Sequence, residues 1–300
     1  MYPFHGMIGF PITPADTHGR IDTAAITRLV QRQLSAGADA IGILGSTGSY
    51  PYLSREERRR ALDAAVDAAD GRVPVIAGVG ALRTSDAVAF AQDAKAAGCA
   101  AGLLSAMSYL PLSQTEVYEH FATVARMGEL QICIYDNPGT THFQFTDDLL
   151  ERLARVENIA AIKNPTSSPE QTASHLEAQR LLLPSGFPIG YSGDWCCAEA
   201  MIAGADAWYS VLGGTLPVPC VAIVRAVQAG NGGEARRLND TLQPVWDLFQ
   251  KYTSYRTVYE MNCQLDLCEA VPPRPILPVC SAGKAEIASV LERLPVNYLK

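Results

Sequence analysis

Eight short apolar segments, each followed by a longer helical segment, are the feature that most constrains the fold of this chain. Each short segment is apolar at nearly every position, as in strands that are buried on both faces. The eight segments are Met7–Ile12, Ala38–Leu44, Val73–Ala77, Ala101–Leu104, Gln131–Tyr135, Ile159–Lys163, Pro188–Tyr191 and Ala207–Leu212. The pattern predicts eight parallel strands within residues 1–215.

Helical patterns fill the spaces between these segments. Thr23–Gly37 ends on a glycine, and residues 54–57 form a capping-box pattern that opens a helix ending near Asp70. Alternation of strands and helices with short loops indicates a parallel sheet with right-handed crossovers. Eight such units predict an α/β fold in which the strands close into a (β/α)8 TIM barrel. A doubly wound open sheet is the alternative.

Residues 216–300 follow the eighth predicted strand and show three further helical patterns, Val218–Gly230, Gly233–Lys251 and Ala282–Leu294. A minimal barrel needs only one helix after its last strand. We therefore divide the chain into a catalytic barrel over residues 1–215 and a C-terminal helical region over residues 216–300. The second region is expected to form an appended helical bundle.

Composition excludes several classes of function. The chain has a net charge of −7 and no basic block, which argues against nucleic acid and membrane surfaces as partners. The chain shows no signal-like segment and no apolar run of about 18 residues, so a cytoplasmic protein is expected. The five histidines lack ligand spacing, and Gly78 and Gly80 lack the third glycine of a dinucleotide fingerprint. We expect neither a metal nor a cofactor.

Lys163 is the most informative single residue. Among the five lysines it alone ends an apolar strand pattern, and in a barrel the chemistry lies at the C-terminal ends of the strands. Burial favours the uncharged amine, which is the form that attacks a carbonyl. From spacing alone, Lys163 is either a nucleophile that forms a Schiff base or a lysine whose head group reaches solvent or binds a substrate anion.

Two further strand ends are predicted at the same mouth of the barrel. Tyr135 ends the strand before Lys163, and a phenol can donate and accept protons while a carbonyl adduct forms and breaks. A core tyrosine with a satisfied hydroxyl is the alternative. Thr47 lies in a Gly-x-x-Gly turn whose amides can bind a carboxylate, although an ordinary turn between strand and helix has the same pattern.

These strand ends resemble the motifs of the dihydrodipicolinate synthase/N-acetylneuraminate lyase family, over nearly the whole chain. Gly45-Ser46-Thr47-Gly48 is similar to the family's Gly-Thr-Thr-Gly-Glu segment. Tyr135-Asp136-Asn137-Pro138 is similar to its Tyr-Asn-x-Pro, and Ile162-Lys163 is similar to its Schiff-base lysine strand. Residues 272–278 resemble its C-terminal proline-rich turn.

The resemblance implies a Schiff-base lyase of the aldolase type that acts on pyruvate or another 2-keto acid without a cofactor. It implies that Lys163 forms the imine and that Tyr135 shuttles protons. It also implies a proton relay completed by Thr47 and by Tyr109 of a partner subunit, which predicts a homodimer or homotetramer. Ser46 and Thr47 are expected to bind the carboxylate of the keto acid.

Departures from the family pattern concern the second substrate. Thr140 stands where the synthases have an arginine that grips a carboxylate, and Ser49 replaces the glutamate of the Gly-Thr-Thr-Gly-Glu motif. Asp194 fits a position where sialic acid lyase contacts sugar hydroxyls, but Trp195 replaces the acidic residue that follows. Tyr209 stands where the family has an apolar residue against the imine. A smaller or partly aromatic second substrate, such as an aldehyde, is expected. A dehydratase or aldolase that acts on a 2-keto-3-deoxy sugar acid is equally open.

Three alternative functions stay open at this point. A dehydratase acting on 2-keto-3-deoxy sugar acids would use the same imine on the same fold. A barrel that binds a keto acid without turnover, as a regulator, belongs to a different class. An oxidoreductase using a dinucleotide is the third alternative.

Overall fold

The computed structural model describes residues 2–299. Eight parallel strands close into one barrel in sequence order, and β8 pairs with β1. The strands are β1 Gly6–Gly9, β2 Ala40–Ile43, β3 Val75–Gly78, β4 Ala101–Ser105, β5 Gln131–Tyr135, β6 Ile159–Pro165, β7 Ile189–Ser192 and β8 Ala207–Ser210. The prediction of a (β/α)8 TIM barrel is confirmed, and the open-sheet alternative is wrong.

Helices surround the barrel and continue beyond it. They are α1 Thr23–Ala36, α2 Arg55–Ala69, α3 Thr84–Ala97, α4 Gln114–Gly128, α5 Pro138–Thr141, α6 Asp147–Leu153, α7 Pro169–Leu182, α8 Asp194–Ile202, α9 Pro217–Gln228, α10 Gly232–Asp240, α11 Gln243–Tyr252, α12 Ser254–Gln264 and α13 Ser281–Arg293. None of the helices within residues 2–299 is both long and apolar enough to span a bilayer.

The ends of the helices follow from local sequence. Ser54 caps α2 by accepting a hydrogen bond from the backbone N–H of Glu57, as the capping-box pattern predicts. The Glu57 carboxylate serves a different purpose, because it accepts the backbone N–H of Ile21 and pairs with Arg60. Gly37 ends α1 with a φ of 85°, a conformation that glycine adopts without steric cost.

The continuous apolar character of the strands comes from burial on both faces. In β5, Cys133 and Tyr135 belong to the apolar cluster inside the barrel, while Ile132 and Ile134 belong to the cluster between the barrel and the helices. Tyr135 pairs in register with Lys163 of β6. The two residues that the sequence places at neighbouring strand ends are therefore direct neighbours across the sheet.

Only β5 has the predicted bounds, and the largest differences at the C-terminal ends are those of β1, β6 and β8. β1 ends at Gly9 rather than at residue 12. β6 continues beyond Lys163 to Pro165, because the last two residues of β6 pair with the end of β7. β8 ends at Ser210, because the backbone amides that follow turn into a short 3-10 helix and bond to the carboxylate of Asp194.

The C-terminal region is more segmented than predicted. Helix α9 packs on α1, α8 and β1, in the position of an eighth barrel helix. The prediction of one helix over Gly233–Lys251 is wrong, because Pro244 lacks a backbone donor and stands in the first turn of a new helix, α11. The sequence did not predict α12, which follows α11 after Thr253. A C-terminal group of helices is confirmed, and the domain boundary at residue 215 stays a prediction.

Candidate active site

A cavity of about 420 Å³ opens at the C-terminal ends of the barrel strands. We call it the Lys163 cavity. Seven of the eight predicted site residues line it, namely Ser46, Thr47, Tyr135, Thr140, Lys163, Asp194 and Tyr209. The closed sheet brings these residues together from five different parts of the chain, which accounts for their wide separation in sequence.

Lys163 lies in an aromatic environment at the base of this cavity. Its side chain is buried, and its Nζ lies 4.0 Å from the ring centroid of Tyr135, 4.8 Å from that of Phe10 and 5.6 Å from that of Tyr209. Among the described residues no carboxylate lies within 4.0 Å of the amine. The electron-rich ring faces are thus its nearest electrostatic partners, and no ion pair holds the side chain.

The hydroxyl of Tyr135 is held by two polar side chains. It accepts a 2.8 Å hydrogen bond from Asn137 Nδ2 and lies 3.4 Å from Ser46 Oγ. Burial raises the pKa of Tyr135, but the charge of Lys163 and the hydrogen bonds to Ser46 and Asn137 outweigh it, so the pKa lies below its ordinary value. A phenol in this state exchanges protons more readily than a free tyrosine.

The loop after β2 places two hydroxyls at the cavity. Leu44 and Ser49 both have left-handed backbone, with φ values of 58° and 56°, and they curl Ser46 and Thr47 into a tight turn. The turn leaves little room for a side chain at position 48, because a Cβ there would lie 2.8 Å from Thr13 Oγ1 and 3.1 Å from the Cα of Leu44. Ser46 faces the Tyr135 hydroxyl, whereas none of the hydrogen bonds within residues 2–299 joins Thr47 to Tyr135.

Asp194 lines the cavity, but protein donors occupy its carboxylate. The oxygens accept hydrogen bonds from Trp208 Nε1, Ser210 Oγ and the backbone N–H groups of Val211 and Leu212, at 2.7 to 3.2 Å. Burial raises the pKa of Asp194, and these hydrogen bonds act in the opposite direction. The geometry therefore makes Asp194 an organiser of the residues that follow β8.

Tyr209 lines the Lys163 cavity from inside the barrel, and Thr140 lines it at the exposed mouth. Tyr209 is fully buried inside the barrel, and its hydroxyl lies 3.4 Å from Cys133 Sγ. Thr140 is exposed on α5, where its Oγ1 accepts a 2.9 Å hydrogen bond from Asn137 Nδ2. Thr140 thus touches the same amide that holds Tyr135, and it presents a neutral hydroxyl at the mouth.

Tyr109 is the one predicted site residue that lies away from the Lys163 cavity within the single chain. It lies in the loop between β4 and α4, and its side chain is 92% exposed. Leu110 beside it is 68% exposed. The fold therefore presents this loop outward, where contact with another chain is sterically open.

Several cavity residues were missed by the sequence interpretation. Asn137 lies in the Tyr135-Asp136-Asn137-Pro138 motif, but no role was predicted for its side-chain amide. Ser254 and Tyr255 lie at the start of α12, and they line the Lys163 cavity. Ser49 Oγ lies 2.6 Å from the hydroxyl of Tyr255 and so joins α12 to the β2 loop. The available signal was the substitution of Ser49 for the glutamate of the family motif.

Comparison with known proteins identifies the family. Residues 3–294 match the model of the dihydrodipicolinate synthetase family. The chain belongs to this family. Its members are Schiff-base-forming lyases of the aldolase type, and this chain is such an enzyme, acting on pyruvate or another 2-keto acid. The predicted family and the predicted class of activity are confirmed.

Individual members of the dihydrodipicolinate synthetase family match over most of the chain. The crystal structure of a dihydrodipicolinate synthase from Agrobacterium tumefaciens is 51% identical with a TM-score of 0.95, covering 97% of this chain and 98% of that chain. One from Aquifex aeolicus is 29% identical with a TM-score of 0.90, covering 97% and 98%. A 4-hydroxy-tetrahydrodipicolinate synthase from Salinibacter ruber is 38% identical over 225 residues, which are 74% of this chain and 73% of that protein.

Proposed function

We propose that Lys163 attacks the carbonyl of pyruvate or a related 2-keto acid and forms an imine with loss of water. The contact between its amine and the Tyr135 ring carries this proposal, because it places a proton-transfer group beside the reacting atom. Tyr135 accepts a proton from the attacking amine and returns one to the hydroxyl that leaves as water. The protonated imine then withdraws electrons from C3, which loses a proton to give an enamine.

The loop after β2 is the proposed site for the carboxylate of the keto acid. Ser46 and Thr47 lie in a turn between two left-handed residues, and turns of this kind direct backbone N–H groups toward an anion. The two hydroxyls supply further donors to the same cavity. Ser46 also contacts Tyr135, so we assign the inner step of the proton relay to Ser46 and a carboxylate contact to Thr47.

The second substrate is proposed to be an aldehyde with an uncharged distal end. Lys163 is the only cationic side chain that lines the described cavity, and Asp194 has its carboxylate occupied by protein donors. Neutral groups form the rest of the wall, including Thr140, Ser254 and the half-exposed Trp195. Without a guanidinium the site has no bidentate partner for a second carboxylate. The enamine adds to such an aldehyde, and the reverse reaction cleaves the same bond.

Dehydration of a 2-keto-3-deoxy sugar acid is the second candidate reaction. Thr166 and Ser192 line the Lys163 cavity, and because their hydroxyls donate to backbone carbonyls they offer acceptor oxygens to a substrate. Such groups suit a substrate with several hydroxyls. The same imine then assists loss of one substrate hydroxyl as water. In this reaction no aldehyde is consumed or released, so product analysis separates the two candidates.

We further propose that the enzyme is a cytoplasmic homodimer or homotetramer in which Tyr109 reaches the cavity of a partner subunit. The exposure of Tyr109, Leu110 and Leu82 supports a contact of this kind, because large apolar side chains gathered on a surface mark interfaces. The cysteines are free thiols and most are buried, which suits a reducing compartment.

Reductive trapping tests the role of Lys163. Borohydride added with pyruvate is expected to attach a stable mass to Lys163, which peptide mass spectrometry locates. Lys163→Met supplies the matched control, and it is expected to fold and to trap nothing. A modification on any other lysine, or none at all, would refute the assignment. An aldehyde panel followed by pyruvate consumption then identifies the second substrate.

A further inference from the structure

A second cavity of about 410 Å³ lies between the loop before α1 and the proline-rich segment before α13. It shares no lining residue with the Lys163 cavity. We propose that this second cavity binds a small organic monocarboxylate with an apolar body, and that its occupancy acts on the Lys163 cavity through Ser49. The binding half stands by itself, whereas the effect on catalysis rests on the proposed function.

A buried polar atom in the wall of the second cavity points to a ligand. Thr13 is only 2% exposed, and its Oγ1 has no hydrogen-bond partner among the described residues. Buried hydroxyls in proteins are normally paired with protein groups or water, so an unpaired one marks a place for an incoming polar group. Because Thr13 Oγ1 is itself covered, the side chain must turn about its Cα–Cβ bond, and the hydroxyl can then donate its proton to a carboxylate oxygen at the wall of the cavity.

The loop that carries Thr13 is held rigidly. The carboxylate of Asp16 accepts hydrogen bonds from the backbone N–H groups of His18 and Arg20, at 2.8 and 2.9 Å. Ala15 and Ile21 pair across the base of the loop. Because these contacts fix the loop without any ligand, the second cavity is formed before binding, and little ordering cost opposes occupation.

The opposite wall is apolar. Pro272, Pro273 and Pro278 line the second cavity together with Leu53 and Val271, and the Val271 side chain is 46% exposed. Proline and valine offer flat, rigid surfaces with no donor. A ligand here must therefore bury a hydrocarbon portion against the prolines while its polar end turns elsewhere.

The charges at the rim select a single carboxylate. Arg274 lines the second cavity, and no carboxylate among residues 2–299 lies within 4.0 Å of its guanidinium. The one acidic side chain in the lining is Asp16, whose carboxylate already accepts two backbone amides. One free guanidinium suits one carboxylate, and the acidic neighbour disfavours a second.

A hydrogen-bonded partition separates the two cavities. Tyr259 lines the second cavity and Tyr255 lines the Lys163 cavity. Ser49 Oγ lies between them, 2.8 Å from the Tyr259 hydroxyl and 2.6 Å from the Tyr255 hydroxyl. Ser49 also stands two residues after Thr47, in the turn proposed to hold the keto-acid carboxylate. A ligand that moves Tyr259 can therefore act through Ser49 on Tyr255, which lines the Lys163 cavity, and on the turn that carries Thr47.

Binding is tested with benzoate, measured by calorimetry on the full-length protein. We expect saturable binding, and roughly tenfold weaker binding after Arg274→Met or Thr13→Val, as removal of one charge-assisted or buried hydrogen bond gives. Arg126→Met is the matched control, since Arg126 is exposed on α4. Benzamide has a similar shape but no charge. Its binding to the unmodified protein is expected to be as weak as, or weaker than, the binding of benzoate to the Arg274→Met variant.

Location and coupling are tested separately. Protein whose Lys163 has been reductively linked to pyruvate is expected to bind benzoate still, which places the ligand outside the first cavity. Loss of binding in that protein, or binding by Arg274→Met and Thr13→Val that is as tight as in the unmodified protein, overturns the proposed site. Ser49→Gly removes the hydroxyl and suits the left-handed backbone. It is expected to bind benzoate but to lose the benzoate-dependent change in the KM for pyruvate.

The two halves of the proposal fail in different ways. If Lys163 forms no imine, the calorimetric result for benzoate is unaffected and only the kinetic readout disappears. If benzoate binds but leaves the KM for pyruvate unchanged in the unmodified enzyme, binding at the second cavity does not affect the Lys163 cavity through Ser49. Absence of saturable benzoate binding overturns the site itself.

Discussion

The Nζ of Lys163 lies 4.0 Å from the ring centroid of Tyr135, its register partner across β5 and β6. The pair is fixed by backbone hydrogen bonding of the sheet, so its geometry does not depend on a mobile loop. Asn137 then fixes the phenolic oxygen with a 2.8 Å hydrogen bond. Nucleophile and proton shuttle are thus positioned together by the most rigid part of the fold.

Replacement of Tyr135 by phenylalanine is expected to lower kcat by roughly a hundredfold to ten-thousandfold, the usual contribution of a general acid–base group. The aromatic ring beside Lys163 remains, so the variant is expected to fold normally. Stopped-flow imine formation with pyruvate provides the measurement, and circular dichroism provides the control. An unchanged rate of imine formation would contradict the shuttle role.

Asn137→Ala is expected to shift the alkaline limb of the pH–rate profile to higher pH. The hydrogen bond from Asn137 stabilises the phenolate of Tyr135, so its removal raises the pKa of that group. The matched control is Thr140→Val, which removes only the other contact of the same amide. Movement of the limb toward lower pH, or equal movement in both variants, would count against this assignment.

Asp136 is expected to make stability depend on pH. Burial raises its pKa to about 6, and its Oδ1 has no partner among the described residues. Since the folded state binds this proton more tightly than the unfolded chain, the stabilisation is complete below about pH 4 and is lost as pH rises through about 6. Asp136→Asn introduces the asparagine of the family's Tyr-Asn-x-Pro motif. The variant has no charge at this position, so it is expected not to lose stability as the pH rises.

The gain from Asp136→Asn at pH 8 is at most about 3 kcal/mol, from a shift of roughly two pKa units at about 1.4 kcal/mol each. Urea unfolding at pH 4 and pH 8 measures it. Asp67→Asn, at an exposed position of α2, serves as the control and is expected to change neither value. Equal stability changes at both pH values would show that the charge of Asp136 is irrelevant.

Asp194→Asn is expected to destabilise the protein by roughly 2–4 kcal/mol, because an amide cannot accept all the donors that meet at this carboxylate. Thermal unfolding gives the measurement. If Asp194 instead contacts the substrate, stability will be preserved and only the KM for the second substrate will rise.

Thr140→Arg is expected to favour an aldehyde that carries a carboxylate. Thr140 is exposed at the cavity mouth, so the longer side chain fits without repacking. We expect kcat/KM for succinate semialdehyde to rise about tenfold relative to butanal, the uncharged analogue, through one new ion pair. Thr140→Gln provides a neutral control of intermediate length. A matching rise with the glutamine would point to packing rather than charge.

The keto-acid half of the site was predictable because parallel strands in a barrel end on one face. Tyr135 and Lys163 could be paired from their positions alone, and burial on both faces made their strands recognisable as apolar runs. The task of Asp194 was not predictable. Its partners, Trp208 and the residues after it, come together only when β8 and α8 pack.

The aldehyde half was not predictable for a local reason. Residues 254–264 mix serine, threonine and tyrosine with few aliphatic side chains. The segment therefore lacks the apolar periodicity that would predict helix α12. Without that helix, Tyr255 had no place in the cavity. The link from Ser49 to Tyr255 spans 206 residues of sequence and depends wholly on tertiary packing.

The presence of Tyr255 and Ser254 in the Lys163 cavity has a consequence for how this enzyme can diversify. The groups proposed to make the enamine belong to barrel strands and their loops, whereas part of the surface that meets the aldehyde belongs to a helix outside the barrel. Changes in α12 can therefore alter which aldehyde is accepted while the imine-forming strands stay intact. Substitutions confined to the C-terminal third of the chain can therefore change the aldehyde that reacts with pyruvate as such enzymes evolve.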